Sequence, residues 1–274
     1  MIRSLYSGVI GMKNHQVMLD VVANNISNAN TTAYKSSRVT FQDLLSQTIL
    51  GAAESSGNAA GINPSQVGIG SLVAAIDPQF TQGPTQYTGR PLDVAIQGNG
   101  FFAVDGGEEG EQKIFFTRDG CFKFDKEGYL ANNVGYRVLD SEGEVIQITD
   151  PIASFTIDRQ GKLTALDENG TVIAEKNIGI AYVLNPESLL KEGYNLYTES
   201  VNTKYPDGEE DSHGIGAAGI GGRGIVEPQT LEMSNVDLTT EFANMIVAQR
   251  AYQANARAIT TSDHVLEELI NLKR

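Results

Sequence analysis

Apolar residues recur in steps of three and four at both ends of the chain and nowhere between. At the start, positions 2 to 26 in these steps carry Ile2, Leu5, Val9, Met12, Gln16, Leu19, Ala23 and Ile26. At the far end they carry Leu238, Phe242, Met245, Gln249, Tyr252, Ala256, Ile259, Asp263, Leu266 and Ile270. That spacing is the a/d seam of a coiled coil, sustained over three heptads or more, so the sequence predicts a long helix at each end. Asp237 is placed to cap the second helix, with Thr240 and Glu241 in its first turn. An alternative is that both are amphipathic helices lying on a globular core, but such helices usually show a wider apolar face than this. Beside the stripes lie small residues: Ser4, Ser7, Gly8, Gly11, Ala248, Ala251 and Ala254. Small residues let helices approach closely, so two such helices suit packing against each other and against copies of themselves.

Between the ends the period drops to two. "PLDVAIQGNGFFAVD" predicts strands over Leu92–Ile96 and Phe101–Val104, and "KIFFTRDGCFKF" predicts strands over Ile114–Thr117 and Cys121–Phe124. "ASFTIDRQGKLTALDENGTVIAE" repeats the scheme with turns at "DRQG" and "DENG". Short strands about ten residues apart, separated by Gly turns, predict an all-β body, sandwich- or barrel-like. The expected fold is therefore mixed: a β domain inserted between N- and C-terminal helices that form a coiled-coil-like pair. The expected division is a helical assembly domain from 1–35 with 231–274, a linker or extended segment over 36–75, and a β-rich outer domain over 76–230. Small and polar residues fill 51–70, and the β domain contains a Gly-rich connector at 205–224.

Several kinds of chemistry find no support. The net charge is −14, nearly all of it in residues 51–226, which argues against nucleic acid or an anionic membrane as partner. Cys121 is the single cysteine, so no internal disulfide or cysteine-based zinc site is expected, and a buried or half-buried thiol is the default. "GIGAAG" at 214–219 fits a dinucleotide pattern, but neither a strand precedes it nor a helix follows. The acidic turns "DKEGYLANN" and "DSEGEVIQITD" lack calcium-loop spacing. His15, His213 and His264 have no metal ligand or nucleophile at useful spacing. No enzyme activity, cofactor or metal is expected, and no run is apolar enough to span a membrane. "MIRSLYSGVIGM" is interrupted by Lys13, Asn14, His15 and Gln16 without a cleavage site, so it reads as mature protein.

The tail of the first helical stretch, "LDVVANNISNANTTAYK", holds Asn24, Asn25, Asn28 and Asn30. Asparagine is poor inside helices and favoured at caps and turns, so the helix should end here and the chain turn away. This stretch resembles the N-terminal signature of bacterial flagellar rod and hook proteins, with Asn24, Asn25, Asn28, Asn30, Tyr34 and Lys35 on the motif. Ala33 stands where that motif has glycine, so the turn there should differ in detail. "TGRPLDVAIQGNGFFAV" is similar to the family's first β motif, and the segment from Ser234 to Arg274 is similar to its C-terminal signature.

The resemblance implies a subunit whose terminal helices pack with those of many copies into an inner tube, with β domains outside. It also implies export through the flagellar export apparatus without a cleaved signal, and a place in the extracellular hook and basal body. Implied partners are further copies, the adjoining rod, hook-cap and hook–filament junction proteins, and the export apparatus. On that reading the seam residues Leu5, Val9, Met12, Leu19, Ile26, Leu238, Phe242, Met245, Tyr252, Ile259, Leu266 and Ile270 form the assembly interface. "NMIVAQRAYQANARAITTSD" and "LINLKR" look more like the hook protein than the distal rod protein. The expectation is thus a hook subunit, flexible at roughly 36–75 and 205–230, with the distal rod as alternative. A secreted module that dimerises through its helices is a third reading. Phe41 and Leu45 resemble the Phe-x-x-x-apolar export motif of early flagellar subunits, the alternative being an ordinary i, i+4 helix pair.

Overall fold

The computed structural model describes residues 2–52, 61, 63–107, 113–148, 154–167, 171–206 and 212–272. Parts of the expected linker (53–60 and 62), of the "DENG" turn (168–170) and of the Gly-rich connector (207–211) lie outside the described residues. The chain forms two compact units. One joins Met1–Ser27, Ser37–Gln79 and Val236–Arg274; the other joins Asn28–Ser36 with Phe80–Asn235.

The first unit contains the two long helices, α1 (Ile2–Ser27) and α2 (Leu238–Leu272). They pack antiparallel. Gly8 lies opposite Ile259, Gly11 opposite Asn255, and Asn25 reaches Glu241. A Cβ at Gly8 would stand 3.1 Å from Ile259 Cγ1, and one at Gly11 would stand 2.7 Å from Asn255 Nδ2. With no side chain at either glycine, Ile259 and Asn255 of α2 pack directly onto α1. α1 stops at Ser27, within the asparagine-rich stretch where its residues call for the chain to turn away.

The segment expected as a linker is largely paired strand. Ser37–Asp43 pairs antiparallel with Ser71–Pro78, and Ser46–Leu50 with Ser65–Gly68. Asn14 on α1 donates to Ser71 O at 2.7 Å and sits near Ser71 Oγ at 3.1 Å, tying the larger ladder to the helix. None of these strand residues is buried, so the alternation of apolar and polar residues that reveals a half-buried strand is weak here. Backbone pairing between segments some thirty residues apart holds the element instead.

The second unit is the β body. Its main sheet runs in the order Leu190–Gly193, Leu196–Thr198, Ile114–Thr117, Phe101–Asp105, Arg137–Val138, Leu130–Ala131 and Lys123–Phe124, and it is open at both ends. Phe101–Asp105 is buried on both faces. Phe102 and Val104 join a core with Phe122, Leu130, Ile146 and Leu163, while Phe101 and Ala103 join a second core with Phe116, Leu139 and Tyr197. A strand covered on both sides reads as the unbroken apolar run "FFAV". The smaller sheet Ser154–Ile157, Lys162–Leu166 and Val172–Asn177 supplies Leu163 and Ala165 to the first core.

The described part of the Gly-rich connector is not loose. Arg223 is buried and donates from Nε to Ile180 O (3.0 Å) and Gly214 O (3.2 Å) and from Nη2 to Gly214 O (2.9 Å). Around it Gly219, Gly221 and Gly222 take positive φ, which lets the backbone wrap the guanidinium. Ile225–Pro228 then pairs with Val94–Gln97. Glycine content suggested flexibility; one buried arginine overrides it. Arg223→Met is expected to destabilise the protein by about 2–3 kcal/mol, because buried carbonyls lose their donors. Urea unfolding followed by circular dichroism checks this.

Candidate functional site

Asn25, on the last turns of α1, is buried and serves the start of the next strand. Its carboxamide accepts from Ser37 N (3.0 Å) and donates to Ser37 O (2.9 Å), and it also donates to Glu241 Oε2 at 3.3 Å. One asparagine thus satisfies both backbone groups of a turning chain and reaches the first turn of α2. Asn28 O and Oδ1 accept from the amide and hydroxyl of Thr31, and Asn24 O accepts from Ser27 Oγ. Asn30 is exposed. At Ala33, where the family motif has glycine, φ is +57° and the side chain is buried, so this position adopts a left-handed turn despite its methyl group.

Lys35 leads into the most buried charge cluster of the β unit. Its Nζ donates to Glu232 Oε1 at 2.6 Å and to Thr81 O at 2.8 Å. Glu232 also accepts from Gly83 N (2.8 Å) and from Arg118 Nη1 (3.3 Å), while Arg118 Nη2 donates to Gly98 O (2.8 Å). Burial pulls the Lys35 ammonium below its ordinary pKa, and Glu232 beside it pushes back. Burial pushes the Tyr197 hydroxyl up. Asn235 reinforces the arrangement by accepting from Ser36 N (2.8 Å) and donating to Thr81 Oγ1 (2.9 Å). Tyr34 is buried with Lys191 Nζ 4.3 Å from its ring centroid, and Asn195 donates to Thr32 O. The segment that follows α1 and the segment that precedes α2 are therefore clamped into one unit through Lys35 and Glu232.

Sequence reasoning singled out Lys35 and Tyr34 but not Glu232, Arg118 or Asn235. Glu232 is one acid among thirty-four in the chain. Its only signal is its setting, between Leu231 and Met233 on a short strand.

The seam residues are distributed differently. Leu5, Met12, Leu19, Ile26, Met245, Ile259 and Leu266 are partly covered. Val9 (50% exposed), Leu238, Phe242 (50%), Tyr252 and Ile270 (67%) are open, as are Ile246 and Val247 beside them. The closest approach of α1 and α2 runs through Gly8 and Gly11 instead. Heptad spacing identifies an apolar face but not what covers it. Phe41 lies in the strand Ser37–Asp43 with its ring 5.9 Å from that of His15, and Leu45 is exposed just before the next strand. The two are not neighbours on a helix.

α2 is capped as its sequence suggests: Asp237 Oδ1 accepts from Thr239 N (3.0 Å) and Oδ2 from Thr240 Oγ1 (2.6 Å). Those hydrogen bonds, the Thr240 hydroxyl first, hold the Asp237 carboxyl below its ordinary pKa. A depressed carboxyl stabilises the fold above its unfolded-state pKa and loses that contribution as pH falls through the folded one. Acidification below about pH 4 is therefore expected to loosen the start of α2. Asp237→Ala should show that loosening already at neutral pH, read as amide exchange over residues 238–242. The lone Cys121 is half-buried, within 3.8 Å of Arg90 Nη1 and Asn133 Oδ1.

Three stretches match known families in chain order. Residues 5–35 match "Flagella basal body rod protein", residues 95–165 match "Flagellar hook protein FlgE/F/G D1 domain", and residues 227–272 match "Flagellar basal body rod FlgEFG protein C-terminal". The chain is 45% identical over 274 residues to the flagellar basal-body rod protein FlgG of Bacillus subtilis, covering all of both. It belongs to the flagellar rod and hook protein family. A second rod relative, FlgG of Borreliella burgdorferi, is 38% identical over 282 residues, again covering all of both chains. The hook protein FlgE of the same organism is 27% identical over a 452-residue alignment. The family is one of structural subunits of the flagellum. Its N-terminal match ends at Lys35 and its C-terminal match begins at Glu227, so both include one half of the Lys35–Glu232 clamp.

Proposed function

We propose that this chain is a subunit of the flagellar basal-body rod, polymerising through its helix pair into a stiff tube that transmits torque. The expectation of a hook subunit gives way to the rod alternative. The observation that carries this is the full-length similarity to rod proteins of matching span, against a hook relative that aligns only with long insertions. The C-terminal motif that favoured the hook falls inside a match described for FlgE, FlgF and FlgG together, so it does not separate them.

The structure supports stiffness as well. The joints invoked for a bending hook are paired strands over 37–43 and 71–78 and a connector tied by Arg223. Assembly itself rests on the open apolar faces of α1 and α2. Helices with so much uncovered apolar surface gain stability when other copies bury it, and head-to-tail contacts that do not close propagate as a helical filament. The seam residues named above, together with Ile246 and Val247, form that interface. Partners are further copies, the neighbouring rod and hook proteins along the axis, and the flagellar export apparatus.

Negative-stain imaging of polymer grown from purified protein tests the reading. Straight tubes of uniform diameter are expected. Curved, polymorphic tubes would restore the hook, and a finite dimer at all concentrations would favour the secreted module. Phe41 and Leu45 form the export signal on this reading, available while the chain is unfolded. Phe41→Ala is then expected to cut secretion into the medium several-fold with intracellular level unchanged. Unaltered export would remove that role.

A further inference from the structure

The ladder between Phe101–Asp105 and Ile180–Ala181 ends at the pair Phe101 and Ala181. Past that pair Tyr182 N–H turns to Gly214 O and Leu184 N–H to Lys204 O, so the two strands part. A cavity of about 260 Å³ lies there, within the β unit. Phe80, Phe101, Val183 and Leu184 give it apolar walls, and among the described residues Arg118 is its one charged lining residue. Arg118 is only 3% exposed. Its terminal nitrogens are engaged, Nη1 with Glu232 Oε2 and Nη2 with Gly98 O. Its Nε–H is buried with no hydrogen-bond partner among the described residues. Such a donor has lost its hydration without compensation, so an acceptor brought to it through the cavity gains more than one bound at an open surface. Charge points the same way. Lys35 and Arg118 share Glu232 as their acid, which leaves this buried cluster with two cations to one anion. An acceptor that carries a negative charge answers both needs, and the apolar walls favour one on a hydrocarbon stem.

We propose that the cavity binds a carboxylate on a short apolar stem, with its oxygen accepting from Arg118 Nε–H and its stem lying among Phe80, Phe101 and Leu184. Two sources carry that chemistry. One is a free short-chain carboxylate. The other is a glutamate side chain of a second copy, from a chain with thirty-four acids against twenty lysines and arginines. The site itself does not depend on the assembly reading, because the cavity and the donor belong to one chain.

Butyrate matches a glutamate side chain in length and serves as the probe for both sources. Full-length monomer is unfolded by urea in rising sodium butyrate, with sodium chloride added to hold the ionic strength constant. The unfolding midpoint should rise and level off. Butyramide, the neutral counterpart, should need about tenfold more for the same rise. Arg118→Met removes the donor while keeping the Lys35–Glu232 pair, and should abolish the response. Leu184→Trp, which fills the cavity from its exposed wall, gives the same readout should the first variant not fold. Equilibrium dialysis of labelled butyrate against monomer and polymer separates the sources. At least tenfold less uptake by polymer supports the site with a neighbour's glutamate in it, and equal uptake supports it with a free anion. No saturable response in the monomer, an equal response to butyramide, or a response that survives Leu184→Trp would overturn the carboxylate site.

Discussion

Glu232→Ala is expected to destabilise the protein by about 3–5 kcal/mol, the usual cost of removing one partner from a buried charge pair. The substitution removes the acceptor that Lys35, Arg118 and Gly83 N–H all use, and both side chains of the Lys35–Glu232 pair are fully buried. Two cations are left facing one another with no anion, which is worse than removing the whole cluster. The pH response carries a definite sign. Burial already lowers the Lys35 pKa, and Glu232 is the group that opposes it. Without Glu232 the ammonium gives up its proton still more readily in the folded state. Between the folded and unfolded pKa values the folded protein then binds fewer protons, so stability rises with pH. The variant should recover part of its loss under alkaline conditions. Glu232→Gln keeps an acceptor for Gly83 N–H and is expected to lose less than alanine. Urea unfolding at two pH values separates these outcomes, and a Glu232→Ala protein as stable as the parent would show that the clamp is not what holds these segments.

Phe242→Asp with Ile246→Asp is expected to abolish polymer growth while leaving the monomer's secondary structure in place. Both side chains are half or more exposed, so the monomer has little to lose. On the proposed assembly a polymer buries them against other copies, where a carboxylate without a partner costs several kcal/mol per site. Because every subunit carries the defect, the penalty recurs at each addition. Sedimentation measures the loss of polymer and circular dichroism checks the monomer. If the doubly substituted protein polymerised at the parental critical concentration, this face of α2 would lie outside the interface.

The elements that follow strong local rules were readable in advance. α1 and α2 announced themselves by heptad spacing, Asp237 by its capping position, and Ile114–Thr117 by its apolar run. Asn25 was legible as a turn-maker, because asparagine so near a helix end has few other uses. The polar ladder over 37–43 and 71–78 was not legible, since strands with few buried residues leave almost no periodic trace. Glu232 was equally silent. Its partners Lys35 and Arg118 are 197 and 114 residues away, and nothing local marks an acid as buried when its compensation is that distant. Arg223 inverted the expectation for a Gly-rich segment for the same reason: the carbonyls it gathers include one forty-three residues upstream. The apolar seam was visible as a pattern, but Gly8 and Gly11, rather than Val9 or Phe242, bring α1 and α2 together within one chain. Periodicity gives a face and leaves the partner open.

Labelling at Ile246 tests most directly whether copies of this chain cover the open helix face. Ile246→Cys in the Cys121→Ser background would be treated with a maleimide reagent as monomer and as polymer. Fast modification of the monomer and at least tenfold slower modification of the polymer is the expected result. Equal rates in the two states would contradict assembly through the helix pair.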